Sequence, residues 1–168
     1  MFVPFDQLPE NARLWVYQAN STLNPSQEEE LSKCLKDFCE SWEVHGQPLR
    51  TSFTVQLHRF VILAVDVNHN EASGCSIDGS VRILKSFGQQ NRIDFFDRTQ
   101  IAFIENSVVH TFALISLKDM FAREELGPNT LLIDTLVTTK ADFGQGWIKR
   151  VADSWLIKYL PKKVVADS

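Results

Sequence analysis

An α+β fold in a single domain spanning residues 1–168 is what this sequence predicts, on three observations. Runs that read as strands are joined by short turns, which forces antiparallel pairing. Helical stripes fall between strand pairs instead of alternating with single strands, as a doubly wound parallel sheet requires. The composition, 44% hydrophobic and 23% charged over 168 residues, is that of an ordinary globular core and not of a disordered or fibrous chain. A chain of this size buries roughly 68–70% of its unfolded surface, so it needs no disulfide or metal to be stable. The expected architecture is a mainly antiparallel sheet of about six strands with four helices, in the order β-α-β-β-α-β-β-α-β-α.

The first strand is Ala12 to Ala19, where Leu14, Trp15, Val16 and Tyr17 supply β-branched and aromatic residues. The first helix follows. Asn24 can cap it, Pro25 suits its first position, and Gln27 completes a capping box. Leu31, Leu35, Phe38 and Trp42 recur at helical spacing, and His45-Gly46 before Pro48 is a stop signal. Ser52 to Leu57 alternates apolar and polar residues like a half-buried strand, whereas Phe60 to Val67 is apolar throughout except for Asp66, like a central one. Between them, His58-Arg59 reads as a tight turn or as part of one long strand. A second helix starts near Ser73–Ser76, carries Ile77, Val81, Leu84 and Phe87 on one face, and ends at Gly88.

Strands at Gln100–Ile104 and Val108–Ile115 flank Glu105-Asn106-Ser107 and read as a hairpin. Ser116-Leu117-Lys118-Asp119 has the form of a capping box opening a short third helix. Gly127-Pro128-Asn129 then turns the chain into a last strand, Thr130 to Val137. A final helix at about Gln145 to Leu160 stacks Trp147, Val151, Trp155 and Tyr159 at i, i+4 spacing, a stripe for the core or, if exposed, for a dimer face.

With 17 basic and 21 acidic residues the net charge is -4, which opposes the basic footprint of a nucleic-acid binder. The longest apolar run, Phe60 to Val65, is far short of the roughly 18 residues of a spanning helix, so no membrane insertion is expected. Residues 1–6 show neither the basic region nor the apolar run of a signal peptide. Cys34, Cys39 and Cys75 are odd in number and form no CxxC, which points to reduced thiols and a cytoplasmic location. The histidines have no metal-ligand spacing, so neither a metal nor a cofactor is expected.

Two chemistries compete for Ser73 to Val81. Gly74 and Gly79 are spaced like the glycines of a phosphate-binding loop, with Ser76, Asp78 and Ser80 as further candidate ligand contacts. That loop demands a lysine and then a hydroxyl after its second glycine, and here Ser80 and Val81 occupy those places. Alternatively, Cys75 sits in or just before the first turn of a helix, where backbone N–H groups lower a thiol's pKa, with His69 the nearest candidate base in sequence. The bland reading makes Cys75 a small buried residue. Asp94-Phe95-Phe96-Asp97-Arg98 could line a pocket, but such a segment more often drops its Phe side chains into the core.

The blocks Trp42-Glu43-Val44-His45-Gly46, Phe60 to Asp66, Ser73 to Val81 and Asp94 to Phe103 together resemble a family of short uncharacterised bacterial proteins, over the whole chain from Met1-Phe2-Val3-Pro4-Phe5 onward. Members of that family often carry the label ABC transporter ATPase. The resemblance implies no catalytic residue or cofactor. The label conflicts with this sequence, which lacks the lysine after Gly79 and any LSGGQ-like segment, and it reads as a misannotation. The expected function is a non-catalytic binding or protein-interaction module with an unknown protein or small-molecule partner. A thiol-dependent enzyme or redox-responsive protein using Cys75 is the alternative, and nucleotide binding at Gly74–Ser80 the weaker one.

Overall fold

Strand and helix lengths follow the sequence patterns through most of the chain. A computed structural model describes residues 1–68 and 74–162. In order, the elements are β1 (Arg13–Gln18), α1 (Pro25–Ser41), β2 (Glu43–Val44), β3 (Gln47–Pro48), β4 (Thr51–Gln56), β5 (Phe60–Val65) and α2 (Gly74–Asn91). They continue with β6 (Gln100–Glu105), β7 (Val108–Ala113), α3 (Leu117–Ala122), β8 (Leu131–Ile133), α4 (Lys140–Gly146) and β9 (Ile148–Arg150). All strand pairs form antiparallel ladders, in sheets ordered β1-β5-β4, β2-β3 and β7-β6-β8-β9, so the protein is α+β. The chain divides into two compact units, Met1–Asp97 with Thr135–Gln145, and Arg98–Asp134 with the chain from Gly146 onward.

In the first unit, the unbroken apolar run Phe60–Val65 becomes the middle strand, and all six of its residues are buried. Val61, Leu63 and Tyr17 face Leu31, Leu35 and Cys39 of α1 and Leu84 and Phe87 of α2 in one core. Helix α1 begins as its sequence requires: Asn24 accepts from the Gln27 N–H while the Gln27 side chain accepts from the Asn24 N–H. Its end is followed by a feature the helix-stop signal hides. His45 and Gly46 both adopt positive φ (51° and 77°) and form the two-residue turn of the β2–β3 hairpin. Gly88 does not terminate α2. The helix runs on to Asn91, and the Ile93 N–H donates to the Gly88 carbonyl past Arg92 at positive φ. Glycine is required because a side chain at 88 would collide with the returning Ile93 carbonyl.

In the second unit, β6 and β7 form the expected hairpin, closed by Asn106 and Ser107 at positive φ. The other edge departs from expectation. The segment read as one helix from Gln145 to Leu160 is instead β9 followed by two 3-10 turns, Val151–Asp153 and Trp155–Tyr159. Gly146, at a φ of 131° that only glycine adopts freely, ends α4 and turns the chain into β9. Ile148, Lys149 and Arg150 then pair with Ile133, Leu132 and Leu131. Extended Ser154 separates the two turns and caps the second through its hydroxyl. Val151, Trp155 and Tyr159 still reach the core, against Phe103, Phe121 and Leu132. Likewise Ser116 does not form a capping box, because Leu114–Ser116 is already a 3-10 turn and Ser116 itself is helical. Strand β8 is shorter than Thr130–Val137, covering only Leu131–Ile133.

Candidate functional site

Residues 74 to 80 belong to helix α2, so they are turns of a helix and not a loop between strand and helix. A phosphate-binding loop works by converging backbone N–H groups that no helix has consumed. Gly79 packs instead against α1, where a Cβ would stand 2.7 Å from the Phe38 ring. Ser80 is fully buried and its hydroxyl donates to the Ile77 carbonyl at 2.7 Å. Asp78 is exposed. Gly74, Cys75 and Ser76 are helical in backbone. The side chains of 74–76 and the whole of His69 lie outside the described residues.

Asp66, the acid at the end of β5, is committed within the fold. It is buried, its Oδ2 stands 3.3 Å from Arg50 Nη1, and its Oδ1 accepts from the Asn68 N–H at 2.9 Å. Asn68 in turn exchanges two side-chain hydrogen bonds with Asn11. At the other end of β5, buried Arg59 donates to the carbonyls of Ala19 and Asn20, and burial pulls its guanidinium below the ordinary arginine range. The Cys39 thiol is fully buried, and desolvation pushes its pKa up to about 11, the Thr51 hydroxyl and the terminal ammonium opposing this only in part. The Thr51 hydroxyl donates to the Cys39 carbonyl at 2.9 Å, as does the Met1 ammonium at 3.1 Å. Phe95 is buried, Phe96 packs edge-on against Tyr17, and the Asp94 carboxylate accepts from the Phe96 N–H, so this segment serves the core. Among the described residues no three His, Cys, Asp or Glu side chains are grouped to hold a metal ion, and no helix is long and apolar enough to cross a membrane.

Of the large hydrophobic residues exposed among the described residues, Met1 and Leu136 (64%) lie in the first unit and the others in the second. Val108 (54% exposed), Leu114, Ile115 (90%), Leu131 (40%) and Ile157 are all large hydrophobic residues open to solvent. The strand registers align three apolar residues side by side: Ile104 pairs with Val109 on one flank and with Leu131 on the other. Arg150, opposite Leu131 on β9, bounds this row with a charge. An apolar row with a charged margin has the layout of a contact patch, and exposed Val108 adds apolar surface on the other face of the hairpin tip.

Strand β7 adds open backbone to that surface. The two-residue turn makes Glu105 and Val108 a hydrogen-bonded pair, so Val108, His110 and Phe112 point their backbone groups toward β6. Those of Val109 and Thr111 and the Ala113 N–H therefore point outward from the sheet edge with no partner among the described residues, whereas the Ala113 carbonyl opens the 3-10 turn Leu114–Ser116. Sequence reading passed over this edge, although its signal is present: no Lys, Arg, Asp or Glu occurs between Glu105 and Lys118. No protein-family model, no curated protein and no solved structure matches this chain.

Proposed function

We propose that this protein is a non-catalytic binding module that works through a protein–protein contact made by its second unit. The observation that carries this reading is the apolar row of half-buried Val109 and Ile104 with Leu131, 40% exposed, while Val108, 54% exposed, stands on the other face of the same hairpin tip. Large exposed apolar residues gain nothing for folding, and grouped within a charged margin they mark contact sites. The buried polar groups Asp66, Arg59 and Thr51 support the same reading, because each is engaged with its own fold. The free thiols Cys34 and Cys39 support residence in a reducing compartment such as the cytoplasm. The resemblance to the bacterial family supplies no residue to this reading.

The test is the double variant Val108→Lys with Leu131→Lys, whose positions are open enough to take a charge without unfolding the unit. The expected result is loss of every association the wild-type chain makes, with itself or with a partner retained from a cell lysate, at unchanged Tm. Association that survives both lysines, or a wild-type chain that associates with nothing, contradicts the reading.

One observation favours a second reading. Among the described residues α2 runs from Gly74, which sets the backbone of Cys75 toward the helix's N-terminal end, where the dipole stabilises a thiolate. Alkylation rates followed across pH decide between the two. The binding-module reading expects Cys75 to titrate at or above the ordinary thiol value of about 8.5. Rapid alkylation persisting well below neutral pH would support the thiol chemistry instead.

A further inference from the structure

We infer that the partner met by this surface is a second copy of the chain, joined by antiparallel pairing of β7 with β7 across a two-fold axis. The inference rests on the binding-module reading and names its partner.

The case begins with how the sheet edges are finished. The outer side of β1 meets further chain: the Leu14 N–H donates to the Thr138 carbonyl, and Arg13 bridges to Thr139. The outer side of β4 meets residues 1–3 at Thr51, through Val3 N–H and Met1 carbonyl, and the Phe2 ring lies against Phe53. Edge strand β9 is only three residues long and carries Lys149 and Arg150. Shortness, charge and cover are the ordinary means by which a soluble protein prevents edge pairing. Strand β7 has none of them. It is six residues long, contains no lysine, arginine, carboxylate or proline, and is open along its outer side among the described residues.

Its chemistry suits a copy of itself better than a charged partner. A strand that faces its own duplicate must carry no side chain that repels its equivalent, and Val108–Ala113 satisfies that with His110 as its one titratable group. The outward-facing residues Val109, Thr111 and Ala113 are evenly spaced about Thr111. Placing Thr111 opposite Thr111 sets Val109 opposite Ala113 at both ends, so the Thr111 N–H meets the other copy's Thr111 carbonyl and the Ala113 N–H meets its Val109 carbonyl, four bonds in all. Exposed Val108, Leu114 and Ile115 flank the seam and add apolar contact there. One strand pair is smaller than a standard interface of about 1,200 Å² or more, so the dimer is expected to be weak, with Kd on the order of 10 µM.

Sedimentation velocity on the intact chain, from about 1 to about 500 µM, tests the inference with wild type, Thr111→Pro and Thr111→Lys. Proline removes an N–H that points away from β6, so the hairpin's own ladder is untouched. Lysine sets two like charges against each other on the axis. The expected result is a reversible monomer–dimer equilibrium in the wild type, weakened at least tenfold by each variant while the circular dichroism spectrum is unchanged. If proline unfolds the unit, the lysine variant alone decides. A dimer that persists in the folded variants overturns β7 pairing while leaving the binding-module reading standing. A wild type that stays monomeric throughout also overturns it, and the Val108→Lys, Leu131→Lys comparison against lysate partners then judges the broader reading separately.

Discussion

In the three-stranded sheet, β5 lies in the middle with every residue buried, and chain segments from elsewhere in the sequence meet the outer sides of β1 and β4. In the four-stranded sheet, one edge is a short charged strand and the other is a full-length strand with no charge and no cover among the described residues. The polar groups divide the same way. In the first unit Arg59, Asp66 and Thr51 are buried and bonded inward, whereas the second unit places Val108, Leu131 and Ile115 in solvent. The difference teaches that the first unit meets both edges of its sheet with its own chain, although Leu136 and Met1 stay exposed there, whereas the second leaves a full-length strand edge open beside exposed Val108, Leu114 and Ile115.

Truncations break this contrast most sharply. Leu35→Ala in the first core removes a fully buried side chain and is expected to cost about 3 kcal/mol in a denaturant melt. Ile115→Ala, at a site 90% exposed, is expected to stay within about 0.5 kcal/mol of wild type. Comparable losses at both positions would end the distinction between a finished and a presented surface.

Two glycines sharpen the account of how the first unit closes. Gly88→Ala drives a methyl group into the Ile93 backbone carbonyl, which cannot rotate away, and is expected to cost about 2–3 kcal/mol. Gly79→Ala meets only the outer edge of the Phe38 ring, and the better helix propensity of alanine offsets part of the clash, leaving a cost of about 1 kcal/mol. Thermal melts that rank these two in the opposite order would contradict the backbone return at Gly88.

Alkali gives a smaller and more selective effect. Below pH 9.0 the Cys39 thiol is protonated whether the chain is folded or not. As pH rises from there toward about 11, the unfolded thiol ionises and the buried one does not, so the unfolded state gains and stability falls. The drop is on the order of 2–3 kcal/mol and should vanish in Cys39→Ala, which isolates it from the titration of lysines and tyrosines. An identical alkaline slope in wild type and variant would mean that Cys39 is not held as the fold requires.

What could be read from the sequence was what local chemistry decides. The Asn24–Gln27 capping box, the apolar run of β5 and the hairpin after β6 each depend on a few neighbouring residues and formed as expected, except that the turn read at Glu105-Asn106-Ser107 narrows to Asn106-Ser107 with Glu105 in the strand. The stripe Trp147, Val151, Trp155, Tyr159 was legible as core but not in conformation. A period of four suits a helix, yet Gly146 and a β8 partner far back in the sequence favour a strand and two 3-10 turns. The candidate contacts Gly79 and Ser80 were chosen by spacing, which carries no information on which face of a helix meets Phe38 or Ile77. The open edge was half legible. The absence of charge from Asn106 to Leu117 is in the sequence, but strand order decides that β7, and not β6, lies outermost.

Amide hydrogen exchange at two protein concentrations tests the central contrast most directly. The account predicts that Val61 and Leu63 in β5 exchange at one slow rate whether the sample is dilute or concentrated. It predicts that Thr111 and Ala113 exchange quickly when dilute and slow down as concentration rises. Protection of those two amides that is already high in dilute solution, or low at every concentration, would contradict it.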